Sequence, residues 1–391
     1  MMFSDDTPRD HISQAKSRDS KESLDPNRPI ATRRRGFLKN FGLAGLALSA
    51  GALLTARGRA NAAFPIGPTP GDVAILRLLA AAELIEADLW QQYAELGGIT
   101  PGQEPVETNP NFTPMNSYQA AFMTLDSDGP QYISSNTLDE QSHATFLNAY
   151  LVSVGAEPVN LDAFRTLPSS QATGAKQIGR LTNLTQLSVD TSWFVRYRST
   201  TNPDFGATFP QALPALFNGK FPAIPRNNAD FNPPAHIQAI ANTAAFHFGF
   251  IEQAGLSLYA TLSQKVTSAE VLRITLGIGG DEIAHFLEWV DFSGNAVQPT
   301  IAPLTDPTNG LTFPNFDQIV NPLLQTNLIF PVPCEFFSPK LPHCAVIRPL
   351  QFTATDAING FIQDGLFIGQ SSGFINTILG LAKAADFAFP L

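Results

Sequence analysis

The pattern D-E-x-x-H occurs twice in this chain, each time within a stretch that favours a helix. The copies are Asp139-Glu140-Gln141-Ser142-His143 and Asp281-Glu282-Ile283-Ala284-His285. Residues three apart share one face of a helix, so the Glu and the His of each copy point the same way. One carboxylate and one imidazole on a common face make half of a metal site. A single E-x-x-H is a weak signal, because it also arises by chance in helical proteins.

Two further helical stretches each carry a glutamate followed by a tyrosine. The pairs are Glu86 with Tyr93 and Glu252 with Tyr259. Their spacing is almost two helical turns, which places each pair on one stripe of its helix. The order Glu, Tyr, then E-x-x-H therefore occurs twice, as a duplicated helical hairpin would leave it.

The distribution of Pro, Gly and apolar residues predicts five helices. They span about 72–96, 131–153, 236–262, 267–292 and 373–387. Thr267 and Glu270 form a capping-box pattern at the start of the fourth helix. A possible short helix covers about 175–189.

We therefore predict an all-α fold, a four-helix bundle with long insertions over 63–296. It includes a crossover insertion at 157–233, and another insertion near 97–129 explains the wide spacing of the first hairpin. Insertions of this length exceed ordinary loops and should carry local structure of their own. The Pro- and Phe-rich residues 297–391 are expected to form a mixed or irregular C-terminal extension that ends in a helix.

Residues 1–62 have the organisation of an export signal. A basic run at 33–35 precedes an apolar stretch at 41–54, and Ala60-Asn61-Ala62 follows as a cleavage site. The Arg34-Arg35-x-Phe-Leu-Lys core resembles the twin-arginine export signal. The apolar stretch is shorter than the roughly 20 residues that span a bilayer. We expect a periplasmic or secreted protein with no stable membrane span after processing, and an uncleaved anchor is the alternative.

The charge balance argues against one class of function. The chain carries 24 Lys and Arg against 34 Asp and Glu, a formal charge of −10. Because 11 of the basic residues and 6 of the acidic ones lie in residues 1–62, the remaining chain carries −15. A general nucleic-acid-binding protein needs a basic face to neutralise phosphates, so we expect no nucleic-acid partner.

The combined pattern resembles the carboxylate-bridged dimetal site of ferritin-like proteins, in which two helices each supply Glu and two others each supply E-x-x-H. The resemblance implies six ligands to two Fe or Mn ions: Glu86, Glu140, His143, Glu252, Glu282 and His285. It implies that Glu140 and Glu282 bridge the metals, that the other two glutamates are terminal, and that each His binds one metal.

The resemblance also assigns roles around the ligands. Tyr93 and Tyr259 match the family's tyrosines that hydrogen-bond ligand carboxylates across the bundle. Asp139 and Asp281 would orient ligands from outside. Without a metal, four buried carboxylates with two imidazoles would need protons to offset their repulsion and desolvation. A buried polar network without metal is the alternative.

The choice of ligand on the first helix stays open. Glu83 lies one turn before Glu86 on nearly the same face and has Trp90 seven residues on. We prefer Glu86 because Tyr93 follows it at the same spacing as in the other hairpin.

Two more residues near the pattern are weaker candidates. His247 lies about 140° around its helix from Glu252, so we interpret it as a core-edge histidine and not a ligand. Glu288 is either an outer carboxylate or an exposed residue.

The two cysteines, Cys334 and Cys344, lie in a Pro-rich segment. In an oxidising compartment we expect a disulfide between them. His343 beside them permits a metal clip, but two Cys and one His fall short of a zinc site.

The export signal, the long insertions and the segment Cys344-Ala-Val-Ile-Arg-Pro narrow the resemblance to exported ferritin-like proteins related to plant desiccation-related proteins. Carboxylates with two imidazoles suit Fe or Mn. The implied function is redox chemistry on O2 or peroxide in stress protection: ferroxidase, peroxide disproportionation or substrate oxidation. The competing hypothesis is a non-catalytic envelope scaffold or binding protein. Because the long loops would obstruct a ferritin cage, we expect a monomer or small oligomer.

Overall fold

Helices make up most of the described chain, which confirms the predicted all-α class. The computed structural model describes residues 67–99, 103, 109, 111–196, 209–294, 301–316, 330–332, 340–342, 344–346 and 352–388. The helices are α1 (Pro70–Gly97), α2 (Ser117–Leu125), α3 (Gly129–Ser153), α4 (Ser192–Arg196), α5 (Pro214–Asn218), α6 (Pro234–Ser263), α7 (Ala269–Phe292), α8 (Ala354–Asp364) and α9 (Ser372–Asp386). The proposed export signal, residues 1–62, and Cys334 lie outside the described residues.

The long helices α1, α3, α6 and α7 begin and end close to the predicted positions. Thr69 caps α1, where its hydroxyl accepts the Asp72 N–H and the Asp72 carboxylate accepts the Thr69 N–H at 2.9 Å. Asp72 also accepts the Thr267 N–H at 2.7 Å. Because Thr267 is bound there, Ser268 caps α7 instead, and the capping box predicted for Thr267 and Glu270 is wrong.

The long helices pack in two pairs, α1 along α3 and α6 along α7. A stack of aromatic rings fills the space between the pairs. The buried Trp90 ring stacks on Phe248 at 4.9 Å and on Trp289 at 5.2 Å, measured between ring centroids. These residues lie within two turns of Glu83, Glu252 and His285 on their helices. The stack therefore sets how each helix is rotated about its own axis.

The insertion at 157–233 is held to α1 by a buried carboxylate. Asp88 accepts the backbone N–H groups of Leu181 and Thr182, each at 3.0 Å, and it pairs with Arg165 at 2.7 Å. The short helix predicted over 175–189 is wrong, because this backbone binds distant partners in place of its own carbonyls.

Short strands and two helices follow the long helices. β1 (Leu304–Thr305) pairs antiparallel with β2 (Thr312–Phe313), and β3 (Phe330–Val332) with β4 (Cys344–Val346). Helix α8 begins within residues that we expected to be irregular, and Thr353 and Asp356 form its capping box. Helix α9 packs against α1. Among the described residues, no helix is long and apolar enough to cross a membrane.

Candidate metal centre

Charged side chains from all four long helices meet in the core between the helix pairs. Each lies less than a tenth exposed. They are Glu83 and Glu86 from α1, Glu140 and His143 from α3, Glu252 from α6, and Glu282 and His285 from α7. Within the cluster, two groups of donor atoms lie close enough to bind a metal ion.

The first donor group surrounds His143. Its Nδ1 atom lies 3.4 Å from Glu83 Oε2, 3.3 Å from Glu140 Oε2 and 4.0 Å from Glu282 Oε1. Every donor atom of this group lies within 4.8 Å of the others. A single cation placed among them would contact three carboxylates and one imidazole.

The second donor group surrounds His285. Its Nδ1 atom lies 3.0 Å from Glu140 Oε1 and 3.5 Å from Glu252 Oε2. Glu140 therefore faces the first group with one carboxylate oxygen and the second group with the other. A carboxylate in this position can hold two cations side by side.

The imidazoles are oriented from outside the cluster, each by the helix opposite its own. His143 Nε2 lies 3.1 Å from Asp281 Oδ2, and His285 Nε2 lies 3.4 Å from Asp139 Oδ2. These contacts occupy Nε2 and leave Nδ1 of each ring directed at the glutamates. Carboxylates that fix a metal-binding imidazole in this way are common around metal sites.

The distances place Glu83, and not Glu86, in a donor group. Glu86 is buried, but it belongs to neither group. Burial raises its pKa, and Glu140 and Glu83 raise it further. Glu83 and Glu86 lie on nearly the same face, so their sequence spacing alone did not separate them.

The two tyrosines have different partners. The Tyr259 hydroxyl donates to Glu83 Oε1, across the space between the helix pairs. The Tyr93 hydroxyl instead shares a 2.8 Å hydrogen bond with His247 Nδ1. Burial lowers the pKa of His247 to about 3. His247 is thus a neutral core residue away from the donor groups.

Glu288 lies outside both donor groups. Its carboxylate accepts a hydrogen bond from Asn136 Nδ2 at 3.0 Å. Asn136 Oδ1 in turn accepts from the Trp289 ring N–H at 2.7 Å. Through these hydrogen bonds Glu288 links α7 to α3, one helical turn from the cluster.

Gly255 on α6 lies at the cluster, although the sequence motifs do not include it. A Cβ atom at this position would lie 2.0 Å from Glu282 Oε2. Gly255 follows Glu252 by three residues, as Glu86 follows Glu83. A glycine in a helix interior, one turn from a ligand candidate, was the available sequence signal.

Six carboxylate oxygens of the cluster accept no hydrogen bond. Both oxygens of Glu252 and Glu282 and one oxygen each of Glu83 and Glu140 are buried without accepting a hydrogen bond. Uncompensated buried carboxylates cost several kcal/mol, so each needs a proton or a cation. Oxygen donors with two imidazole nitrogens fit Fe or Mn. The donor set therefore fits a pair of such ions.

Protons take the place of cations in the metal-free cluster. Burial, with repulsion from Glu83, raises the pKa of Glu140 to about 8. Burial alone would lower the pKa of His143, but the adjacent carboxylates of Glu140 and Glu83 raise it to about 10. Metal binding must release these protons.

We expect Mn2+ to stabilise the full-length chain more as the pH rises from 6.5 to 8. Glu140 and His143 keep protons in the folded, metal-free chain that the unfolded chain has lost, so the stability of the metal-free chain falls across this window. Burial lowers the pKa of His247 to about 3 in the folded chain, so His247 adds only a small opposite slope at the lower end of this window, where the unfolded imidazole loses its remaining protons. Thermal unfolding with and without Mn2+ measures the difference, and a Tm gain that shrinks with pH would contradict the expectation.

Comparison of the chain with protein-family models, with curated proteins and with solved structures found no match.

Proposed function

We propose that α1, α3, α6 and α7 form a ferritin-like four-helix bundle that holds a carboxylate-bridged pair of Fe or Mn ions. The position of Glu140, with one oxygen in each donor group, carries the proposal. A bridging carboxylate must offer one oxygen to each of two metal ions, and the position of Glu140 meets this requirement. Glu83 and His143 would hold one metal, and Glu252 and His285 would hold the other. Glu282 faces the first donor group, and the family resemblance would make it a second bridge.

The bound metal pair would supply one-electron redox chemistry toward O2 or peroxide. The chain's own residues exclude bulk water, since the glutamates are fully buried. Tyr259 holds Glu83 by a hydrogen bond, and the aspartates hold the imidazoles. The raised pKa values of Glu140 and His143 favour their protonated forms when the metals are absent.

Metal content tests the proposal directly. Full-length protein purified from cells supplied with Fe and Mn should carry about two ions per chain by elemental mass spectrometry. Less than about half an ion per chain would contradict it. If two ions bind, Fe(II) oxidation and peroxide consumption no faster than with Glu140→Ala would favour the non-catalytic scaffold.

The proposal includes export of the folded chain by the twin-arginine route, in a role in stress or desiccation protection. The basis is the sequence of residues 33–62. Replacing Arg34 and Arg35 together by Lys should retain the protein in the cytoplasm, as followed by cell fractionation and immunoblotting. A matched change of Arg57 and Arg59 to Lys should leave export unaffected, and equal export of both variants would contradict the route.

A further inference from the structure

Two adjoining cavities lie where α1 and α3 meet the insertion at 157–233, and no residue of the charged cluster lines them. Their volumes are about 340 Å³ and 560 Å³, and they share Glu95 and Gly174 as wall residues. These volumes lie in the range of small-ligand pockets. We call the two cavities together the polar trough. The polar trough is lined by side chains from α1, α3 and the insertion, among them Gln91, Glu95, Leu138, Gln141, Lys176 and Asn232.

A half-satisfied carboxylate stands in the wall that the two cavities share. The Glu95 side chain is only 5% exposed. Its Oε2 atom accepts the Lys176 backbone N–H at 2.9 Å and pairs with Arg180 Nη2 at 2.5 Å. Its Oε1 atom is buried and accepts no hydrogen bond. Because a buried acceptor without a donor is costly, a ligand that brings a donor to this wall gains free energy.

The charges at the polar trough favour an uncharged ligand. Arg180, which is 1% exposed, already neutralises the carboxylate of Glu95. A cationic ligand would therefore compete with a buried guanidinium. Among the described lining residues, Lys176 is the other charged side chain, and it is exposed. One exposed lysine beside a carboxylate is a weak site for an anion.

The remaining polar groups of the trough are amides that can both donate and accept. The side-chain amides of Gln91, Gln141 and Asn232 form no hydrogen bond within the described part of the chain. Hydroxyl groups also donate and accept, so several neighbouring hydroxyls match these amides in either direction. Leu138 and Met115, which are 66% and 41% exposed, add apolar wall surface. The trough therefore offers surfaces for both the hydroxyl and the C–H groups of one ligand.

We propose that the polar trough binds a neutral saccharide of one or two sugar rings. A sugar hydroxyl donates to Glu95 Oε1, and the amides of Gln91 and Gln141 exchange hydrogen bonds with the hydroxyls beside it. The C–H face of the ring packs on Leu138. This binding function is additional to the dimetal function and does not depend on it.

Saturation-transfer NMR with the full-length protein tests the proposal, using glucose, maltose and cellobiose as probes and zwitterionic glycine betaine for comparison. The first variant is Gln91→Ala with Gln141→Ala, which removes two amides and keeps both helices, since Ala favours a helix. The second is Glu95→Gln. Its amide oxygen can still accept the Lys176 N–H, but its NH2 group puts a donor where Oε1 accepts. The control is Gln264→Ala with Gln363→Ala, two exposed glutamines outside the trough.

At least one of the three sugars should bind to the unchanged chain and to the control with equal affinity. Each test variant should bind that sugar about 10-fold more weakly or worse. Thermal unfolding shows whether each variant is folded, and the glutamine pair decides alone if Glu95→Gln is not. No transfer to any of the three sugars would overturn the proposal, and so would equal sugar affinity in the glutamine variant and the control. Binding of glycine betaine in preference to the sugars would assign the trough to a zwitterion instead and would also overturn it.

Discussion

Replacing Glu140 by Ala is expected to abolish the thermal stabilisation that Mn2+ gives the full-length chain. Among the described residues, Glu140 is the one side chain that belongs to both donor groups of the candidate metal centre, so its loss should damage both proposed metal positions at once. At a free Mn2+ concentration about 1,000 times the dissociation constant, binding should stabilise the unchanged chain by about 4 kcal/mol. The variant should lose most of this gain, measured as the Tm difference with and without Mn2+.

Without metal, the Glu140→Ala variant should be at least as stable as the unchanged chain. Glu140 is fully buried beside Glu83 and Glu252, and burial with their repulsion raises its pKa to about 8. Removing it relieves that repulsion, so metal-free Glu140→Ala should unfold at an equal or higher temperature above pH 8. The exposed Glu157→Ala variant is the control and should behave as the unchanged chain. A normal Mn2+ response of Glu140→Ala would show that Glu140 is not a bridging ligand.

The sequence predicted the long helices and the pairing of Glu with His because both follow from local rules. Helix periodicity, together with Pro and Gly at the ends, placed α1, α3, α6 and α7 within a few residues. The spacing of three in E-x-x-H brings Glu140 to His143 within 3.3 Å, whatever the rest of the fold does. Such features depend on residues within a turn or two of one another.

The spacing of residues along α1 could not decide which of its glutamates is the candidate ligand. Glu83 and Glu86 share a face, and the rotation of α1 that brings Glu83 to His143 depends on the packing of Trp90 against Phe248 and Trp289 from other helices. The spacing to Tyr93 favoured Glu86, but Tyr93 contacts His247 instead. Contacts between segments far apart in the sequence therefore determine which glutamate of α1 lies beside His143.

Contacts between segments far apart in the sequence also explain why the helix predicted over 175–189 does not form. The sequence of that segment allows a helix, and nothing local shows that Asp88, some ninety residues earlier, accepts the N–H groups of Leu181 and Thr182. A buried carboxylate needs donors, and two backbone N–H groups satisfy it better than water that the core excludes. Only the fold shows that Asp88 is buried. Because Asp88 accepts the N–H groups of Leu181 and Thr182, these groups cannot form the hydrogen bonds of a helix.

Replacing Gly255 by Ala is expected to weaken Mn2+ binding while leaving the fold intact. The new Cβ would lie 2.0 Å from Glu282 Oε2 and 3.0 Å from its Cδ. The carboxylate is the mobile end of a side chain, so it can move aside without disturbing the backbone. In doing so it leaves the place where the second bridge is proposed. Displacing a ligand in this way should lower Mn2+ affinity by about 10- to 100-fold or more.

The Gly255→Ala variant should lose Mn2+ affinity without losing stability in the metal-free form. This difference distinguishes a displaced ligand from a damaged fold. Ala is favoured over Gly in a helix interior by about 1 kcal/mol, which offsets the cost of moving Glu282 in the metal-free chain. The matched control is Gly277→Ala on α7, where a Cβ meets no atom within 4 Å. The control should gain about 1 kcal/mol of stability and bind Mn2+ normally, as measured by thermal unfolding and Mn2+ titration. Equal Mn2+ affinity in the two variants would show that the position of Glu282 does not matter for the metal, and the second bridge would have to be assigned elsewhere.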